Sequence, residues 1–365
     1  MTKRTSKTAW SKSFKSILNK MTKAATRTGA SAIKKTLAAV VPKAAKRKPA
    51  SLLKMAKPRV SAKTKKSTKT TKSVPSSGAV QSASLTFGMT PGMAGLRRYY
   101  LYRPPGITRT ERLPLMVMLH GCLQDAGALA ASSKMNQLAA RKRFLVLYPE
   151  QEKLSNVQAC WNWYDTRSGR AQREAASIDA VIDQVCLLQP VDQQRIAIAG
   201  LSAGASMAAL LAVNHPRRFS ALIMHSGIAT GLAHSSATAI MAMRGRRLHP
   251  APLPAGTKLP ALLVIQGSKD HIVFPVNGRL VSQQWAMQAG AKAGKPRTVQ
   301  RGARYPSTMT DYRAQGQVMV SLCEVNGLEH AWSGGAKGFA YSDPKGPDAT
   351  AMIWAFASKQ FAYSS

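Results

Sequence analysis

The stretch Arg195–Pro216, RIAIAGLSAGASMAALLAVNHP, decides how this chain is read. Its opening, RIAIAG, is a short apolar run closed by glycine, the signature of a buried strand. From Ala203 onward the residues favour a helix. Between the two halves, Gly200-Leu201-Ser202-Ala203-Gly204 places a serine at the bend, flanked by residues with almost no side chain. Strand, sharp turn and helix in that order form the setting of a nucleophile elbow, in which the serine hydroxyl projects out of the sheet. The next backbone N–H, of Ala203, opens the helix and is placed to donate to a developing oxyanion.

Outward from this stretch the pattern repeats. LPLMVMLHG (113–121), FLVLYPE (144–150), ALIMHSG (221–227), ALLVIQG (261–267) and QVMVSLCEV (317–325) read as further strands. In EAASIDAVIDQVCLL (174–188), Ile178, Val181, Ile182 and Val185 recur at helical spacing. Continuous apolar strands separated by helices predict an α/β domain with a mainly parallel, doubly wound sheet.

The charge divides the chain. Of 53 Lys and Arg, 22 fall in residues 1–80, which hold no Asp or Glu; the other 31 face all 15 acidic residues. Residues 1–80 are therefore read as a basic, mostly disordered tail, and 81–365 as the catalytic domain, with a Ser/Pro/Gly linker near 73–84. Trp10, Phe14, Ile17, Leu18 and Met21 form one stripe opposite Lys12, Lys15, Lys20 and Lys23, predicting an amphipathic helix over 10–21. Such a tail suits an anionic partner: a granule surface, lipid or nucleic acid. No apolar run is long enough for a secretory signal or a transmembrane segment, so a cytoplasmic enzyme, granule-associated through its tail, is the expectation, with an extracellular one the alternative.

A serine hydroxyl needs a base, and the base an orienting acid. Where a serine elbow sits on such a sheet, both follow it in the chain, on loops after later strands. Asp270, directly after the 261–267 run, and His330, after the 317–325 run, have that order and position. Asp343 and Asp348 are the other candidate acids, and His120, His215, His225, His234, His249 and His271 the rival bases. A second oxyanion donor is expected after an early strand, where His120-Gly121 leads to the Cys122 N–H. The Cys122 thiol itself is expected to pack. Cys122, Cys160, Cys186 and Cys323 make neither a disulfide framework nor a CxxC zinc pair, and whether any of them pair stays open. No metal and no cofactor are expected.

The segments LHGCLQ, MNQLAARKRFLVLYPEQ, CWNWYD, AGLSAGASMA, HSG, FPVNG and HAWSGG…YSDPKGPDA, in this order, resemble the poly(3-hydroxybutyrate) depolymerase family of esterases. The resemblance runs from about Leu113 to Phe361. It implies an α/β-hydrolase fold and ester hydrolysis, with Ser202, Asp270 and His330 as nucleophile, acid and base. Ala205 and Ser268 depart from it, standing where a glycine and an acidic residue are usual. Trp161, Trp163, Tyr164 and Trp332 lie close to the motifs and are the expected substrate contacts. The implied substrate is poly(3-hydroxybutyrate) or its oligomers. Short-chain acyl, acetyl or feruloyl carbohydrate esters are the alternative. A granule- or DNA-associated protein that merely keeps the fold is the non-enzyme reading.

Overall fold

Alternation along the strands builds the core. In the computed structural model, which describes residues 84–92, 95–247 and 249–363, successive strand side chains face opposite sides of one sheet. The tail and its predicted helix over 10–21 lie outside the described residues. The strands are β1 (Ser84–Gly92), β2 (Gly95–Arg103), β3 (Leu113–Leu119), β4 (Leu145–Pro149), β5 (Val191–Leu201), β6 (Ala221–His225) and β7 (Ala261–Gly267). They continue as β8 (Lys292–Ala293), β9 (Arg297–Val299), β10 (Ser307–Ala314), β11 (Gln317–Val325), β12 (Trp332–Ser333) and β13 (Ser342–Asp343). Helices are α1 (Ala126–Ser133), α2 (Met135–Lys142), α3 (Arg170–Leu188), α4 (Ala203–Asn214), α5 (Ser236–Met243), α6 (Val276–Gln288) and α7 (Ala349–Phe361).

The main sheet runs β1-β2-β4-β3-β5-β6-β7-β11-β10-β8, with β9 also on β10. From β4 to β11 every pairing is parallel; the β1, β2 and β10 pairings are antiparallel. All six strands expected from the sequence are present. The antiparallel strands were not expected, for identifiable reasons. Pro91 and two glycines, Gly88 and Gly92, interrupt β1, which survives as an edge strand where a missing N–H is tolerated. In β10, STMTDYRA is half-buried and polar, so it lacks the apolar run of a central strand.

Leu115, Val117, Ile196, Ile198, Leu222, Leu262 and Val264 face one side, under α3, α4 and α6. Met116, Met118, Ala197, Ala199, Ile223, Leu263 and Ile265 face the other, under α1, α2 and α7. Each fully buried large side chain contributes about 1.5–3 kcal/mol by leaving water. The stripe Ile178, Val181, Ile182 and Val185 is buried as its spacing predicts. With both faces covered, loops at the carboxyl ends of β3 to β11 are the surface left for a site.

Candidate active site

Ser202 follows β5 and stands at φ 57°, ψ −119°, outside the regions favoured by a side-chain-bearing residue. The glycines around it make the turn feasible. A Cβ on Gly204 would lie 2.2 Å from the Leu119 carbonyl oxygen, and one on Gly200 would lie 2.3 Å from the Gly204 backbone. Helix α4 therefore packs directly on the ends of β3 and β5. The strained turn is pinned because the Ser202 N–H donates to the His225 carbonyl at 2.8 Å, while the Ser202 carbonyl accepts from Ser206 N–H.

Asp270 sits in the turn after β7, and His330 in the loop after β11. His330 Nδ1–H donates to Asp270 Oδ2 at 2.8 Å, in a nearly dry setting. The other carboxylate oxygen accepts from the Ile272 and Val273 N–H groups, and Gln266 Nε2 donates to Oδ2 as well. Burial alone would raise the Asp270 carboxyl. The His330 charge and hydrogen bond, with the two backbone donors, outweigh it and hold the group below the usual carboxylate range. With Nδ1–H committed to the acid, Nε2 carries the imidazole lone pair. The alternative acids are occupied elsewhere: Asp343 accepts from Lys345 N–H, and Asp348 caps α7.

His225, one of the rival bases, is a fully buried joint. Its Nε2 accepts from Ser333 N–H in the His330 loop, and its carbonyl holds Ser202. Its ring stacks on Trp332, and burial, reinforced by the nearby His330, lowers it to about 3. It is a neutral spacer between the serine turn and the histidine loop. His120 is likewise buried and lowered to about 4 chiefly by burial; its Nε2 accepts from Gln151 N–H and its Nδ1–H donates to the Gly121 carbonyl.

Two expectations need correction. Cys122 is not a packing thiol, for it forms a disulfide with Cys160. Trp161 and Trp332 do not line a substrate surface. Both are fully buried, the indole of Trp161 donating to the His120 carbonyl and that of Trp332 to Thr350 Oγ1. They carry the site from beneath. Trp163 and Tyr164 are half-buried and meet edge-to-face, so they keep surface to offer a ligand. The Cys122 and Ala203 N–H groups have no acceptor among the described hydrogen bonds. A methyl on Gly121 would stand 3.6 Å from Ser202 Cβ, which places the Gly121–Cys122 turn beside the serine. Among the described residues there is no cluster of three or more His, Cys, Asp or Glu suited to a metal.

A mostly parallel sheet in this strand order, with a serine elbow after β5, defines an α/β-hydrolase. The chain belongs to the esterase PHB depolymerase family, whose model matches residues 97–298. The poly(3-hydroxyalkanoate) depolymerase C of Paucimonas lemoignei is 31% identical over 56% of this chain; the match spans half of that relative's length. A probable acetylxylan esterase A of Aspergillus clavatus is 23% identical over 72% of this chain and 91% of its own. Among solved structures, the acetyl xylan esterase from Aspergillus awamori superposes with a TM-score of 0.53 at 18% identity. It covers 68% of this chain and 93% of its own, and shares the fold.

Proposed function

We propose that this chain is a serine esterase that cleaves carboxylic esters through an acyl-enzyme. The observation that carries this reading is the buried Asp270–His330 pair at 2.8 Å, on loops at the same sheet end as the strained Ser202. His330 Nε2 takes the hydroxyl proton as Ser202 attacks the ester carbonyl. The Ala203 and Cys122 N–H groups hold the oxyanion. The alcohol leaves with the proton from His330, and water releases the acyl group by the same route. Asp270 stays ionised throughout, which its depressed proton affinity supports.

The substrate assigned is poly(3-hydroxybutyrate) or its oligomers, with Trp163 and Tyr164 as the apolar contacts. Hydrolysis of p-nitrophenyl esters by the wild type but not by Ser202→Ala tests the chemistry. Product analysis on amorphous poly(3-hydroxybutyrate) beside acetylated and feruloylated carbohydrate tests the acyl group; release only from the carbohydrates would replace the polyester with a sugar ester.

The 22 positive charges of residues 1–80 are assigned to binding an anionic surface, be it a granule coat, lipid or nucleic acid. Removing residues 1–80 is expected to leave soluble-ester turnover unchanged and to weaken that binding. No described helix is long and apolar enough to cross a membrane. The Cys122–Cys160 disulfide favours an oxidising compartment over the cytoplasm.

A further inference from the structure

The turn that bears the second oxyanion donor has little of its own to hold it. It leaves β3 at Leu119 and passes through Gly121, Cys122 and Leu123 before α1. Leu123 adopts φ 62°, a left-handed conformation that a branched side chain disfavours. Within the turn, the Gly121 N–H reaches Gln124 Oε1 and the Gln124 N–H reaches the Gly121 carbonyl at 3.3 Å. From the residue before the turn, His120 Nδ1–H donates to the Gly121 carbonyl at 2.9 Å. Two further ties run to a segment some 38 residues further on: the Cys122–Cys160 disulfide, and the Leu123 N–H donating to the Gln158 carbonyl at 2.8 Å.

That second segment is firmly seated. The Cys160 carbonyl accepts from Gln151 Nε2, and Gln151 Oε1 accepts from Arg97 Nη1 at 2.7 Å. Both Asn162 N–H and Asn162 Nδ2 donate to the Glu174 carboxylate, which projects from α3. The Arg97 guanidinium lies 5.2 Å from the centre of the Trp161 ring, whose N–H holds the His120 carbonyl one step before the turn. Cys160 thus stands on the sheet and on α3, whereas Cys122 stands beside Ser202.

We propose that the Cys122–Cys160 disulfide positions the oxyanion site, carrying the rigidity of the Cys160–Asn162 segment to the Cys122 N–H so that it points at the reacting carbonyl beside Ser202. Cys160 is then a positioning residue for ester hydrolysis and Cys122 the residue through which it acts. This rests on the serine-esterase reading above. A donor aimed at the oxyanion matters more in the transition state than in the bound ester, so its misplacement lowers kcat and leaves KM nearly unchanged. Removing one oxyanion donor outright costs roughly 10²–10³ in kcat. A donor that is loosened rather than removed is expected to cost about 10–100-fold.

The test uses the full chain and the Cys122→Ala/Cys160→Ala double variant, with p-nitrophenyl butyrate as substrate and an alkyl trifluoromethyl ketone as probe. The probe is attacked by a serine to give a tetrahedral adduct whose oxygen occupies the oxyanion position. The expected result, at a temperature where the variant is fully folded, is a kcat about 10–100-fold lower, a KM within about twofold, and a loss of ketone affinity matching the loss in kcat. An unchanged kcat with ketone affinity retained would overturn the proposal, and so would a loss that falls on KM alone. If the double variant does not fold, dithiothreitol acting on folded wild type converts the disulfide to two thiols. Mass spectrometry after alkylation identifies the pair opened, and the same kcat and ketone criteria apply. Full turnover in Ser202→Ala would remove the serine reading itself, an outcome distinct from a disulfide that proves irrelevant to turnover.

Discussion

The two sides of the candidate site are held by different means. On the Ser202 side the backbone itself is the device. Gly200 and Gly204 bring β3, β5 and α4 into direct contact, and two backbone hydrogen bonds pin the strained serine. Across from it, the Gly121–Leu123 turn is held by side chains from elsewhere in the chain: a disulfide, a buried arginine, a glutamine and an indole. The first device is steric, backbone packed against backbone. The second is a network that spans some 60 residues, and its effect on the donor depends on every link.

The largest effect expected is on the chemistry that both sides serve. Ser202→Ala and His330→Ala should each reduce turnover by about 10⁵–10⁶, since members of a triad act as a unit. Asp270→Asn, which misorients the imidazole, should cost roughly 10⁴. Thermal midpoints of the serine variant should match wild type, because a half-exposed hydroxyl contributes little to packing. If Asp270→Asn were neutral and Asp343→Asn abolished turnover, the acid would lie on the β13 side of the loop instead.

Next comes the rigid side. In Gly204→Ala the new methyl meets the Leu119 and His120 carbonyls at 2.2 and 2.5 Å, which are backbone atoms that cannot swing away. The expected cost is about 3 kcal/mol or more in denaturant unfolding, the upper end for overpacking. A near-neutral result would show that the elbow is looser than its geometry implies.

For the networked side the telling variant is Arg97→Met. It leaves Ser177 Oγ, the Glu150 carbonyl and Gln151 Oε1 without a charged donor in a buried setting. About 2 kcal/mol of stability should be lost. Ile353→Ala, in α7 under the opposite face of the sheet, should cost at least as much through its cavity. If the network serves the donor, Arg97→Met also lowers kcat, whereas Ile353→Ala leaves kcat unchanged. Equal effects on kcat would erase the contrast between the two sides.

The same contrast decides what the sequence made legible. The elbow was readable because its signal is contiguous: strand pattern, G-x-S-x-G and helix lie within 22 residues. The pairing of Asp270 with His330 was readable because each follows an apolar strand whose order in the sheet a mainly parallel fold dictates. Cys160 was not, since nothing in the spacing of four cysteines identifies a partner 38 residues away. His225 was read only as a rival base. Its neutral, bridging role depends on Ser333, more than a hundred residues later. Trp161 and Trp332 were misread because proximity to a motif in sequence does not reveal which face of the loop a ring occupies. Both sit underneath, with their indole N–H groups satisfied by protein.

The smallest effect tests the two buried histidines, one on each side of the comparison. His225 and His120 are held neutral by burial, lowered from an ordinary 6.5 to about 3 and about 4. As the pH falls below 6.5 the unfolded chain takes up a proton at each histidine while the folded protein does not. Stability contributed by these groups is therefore complete above about pH 6.5 and is lost progressively toward pH 4 and then 3. Each histidine adds a slope on the order of 1 kcal/mol per pH unit inside that window. His225→Gln retains a side-chain oxygen to accept from Ser333 N–H, and His120→Gln one to accept from Gln151 N–H. Each should flatten the pH dependence of urea-unfolding stability between pH 6.5 and 4.5 by about one proton, at little cost at pH 8. The difference between them lies in turnover measured at pH 8. His120→Gln should act through the Gly121–Cys122 turn, lowering kcat severalfold with KM unchanged, because the Nδ1–H that holds the Gly121 carbonyl is lost. His225→Gln should leave the Cys122 donor in place and lose activity only as far as the His330 loop shifts, so its affinity for the trifluoromethyl ketone should track kcat less closely. Parallel losses in the two variants would mean that the serine turn and the donor turn behave as one rigid body.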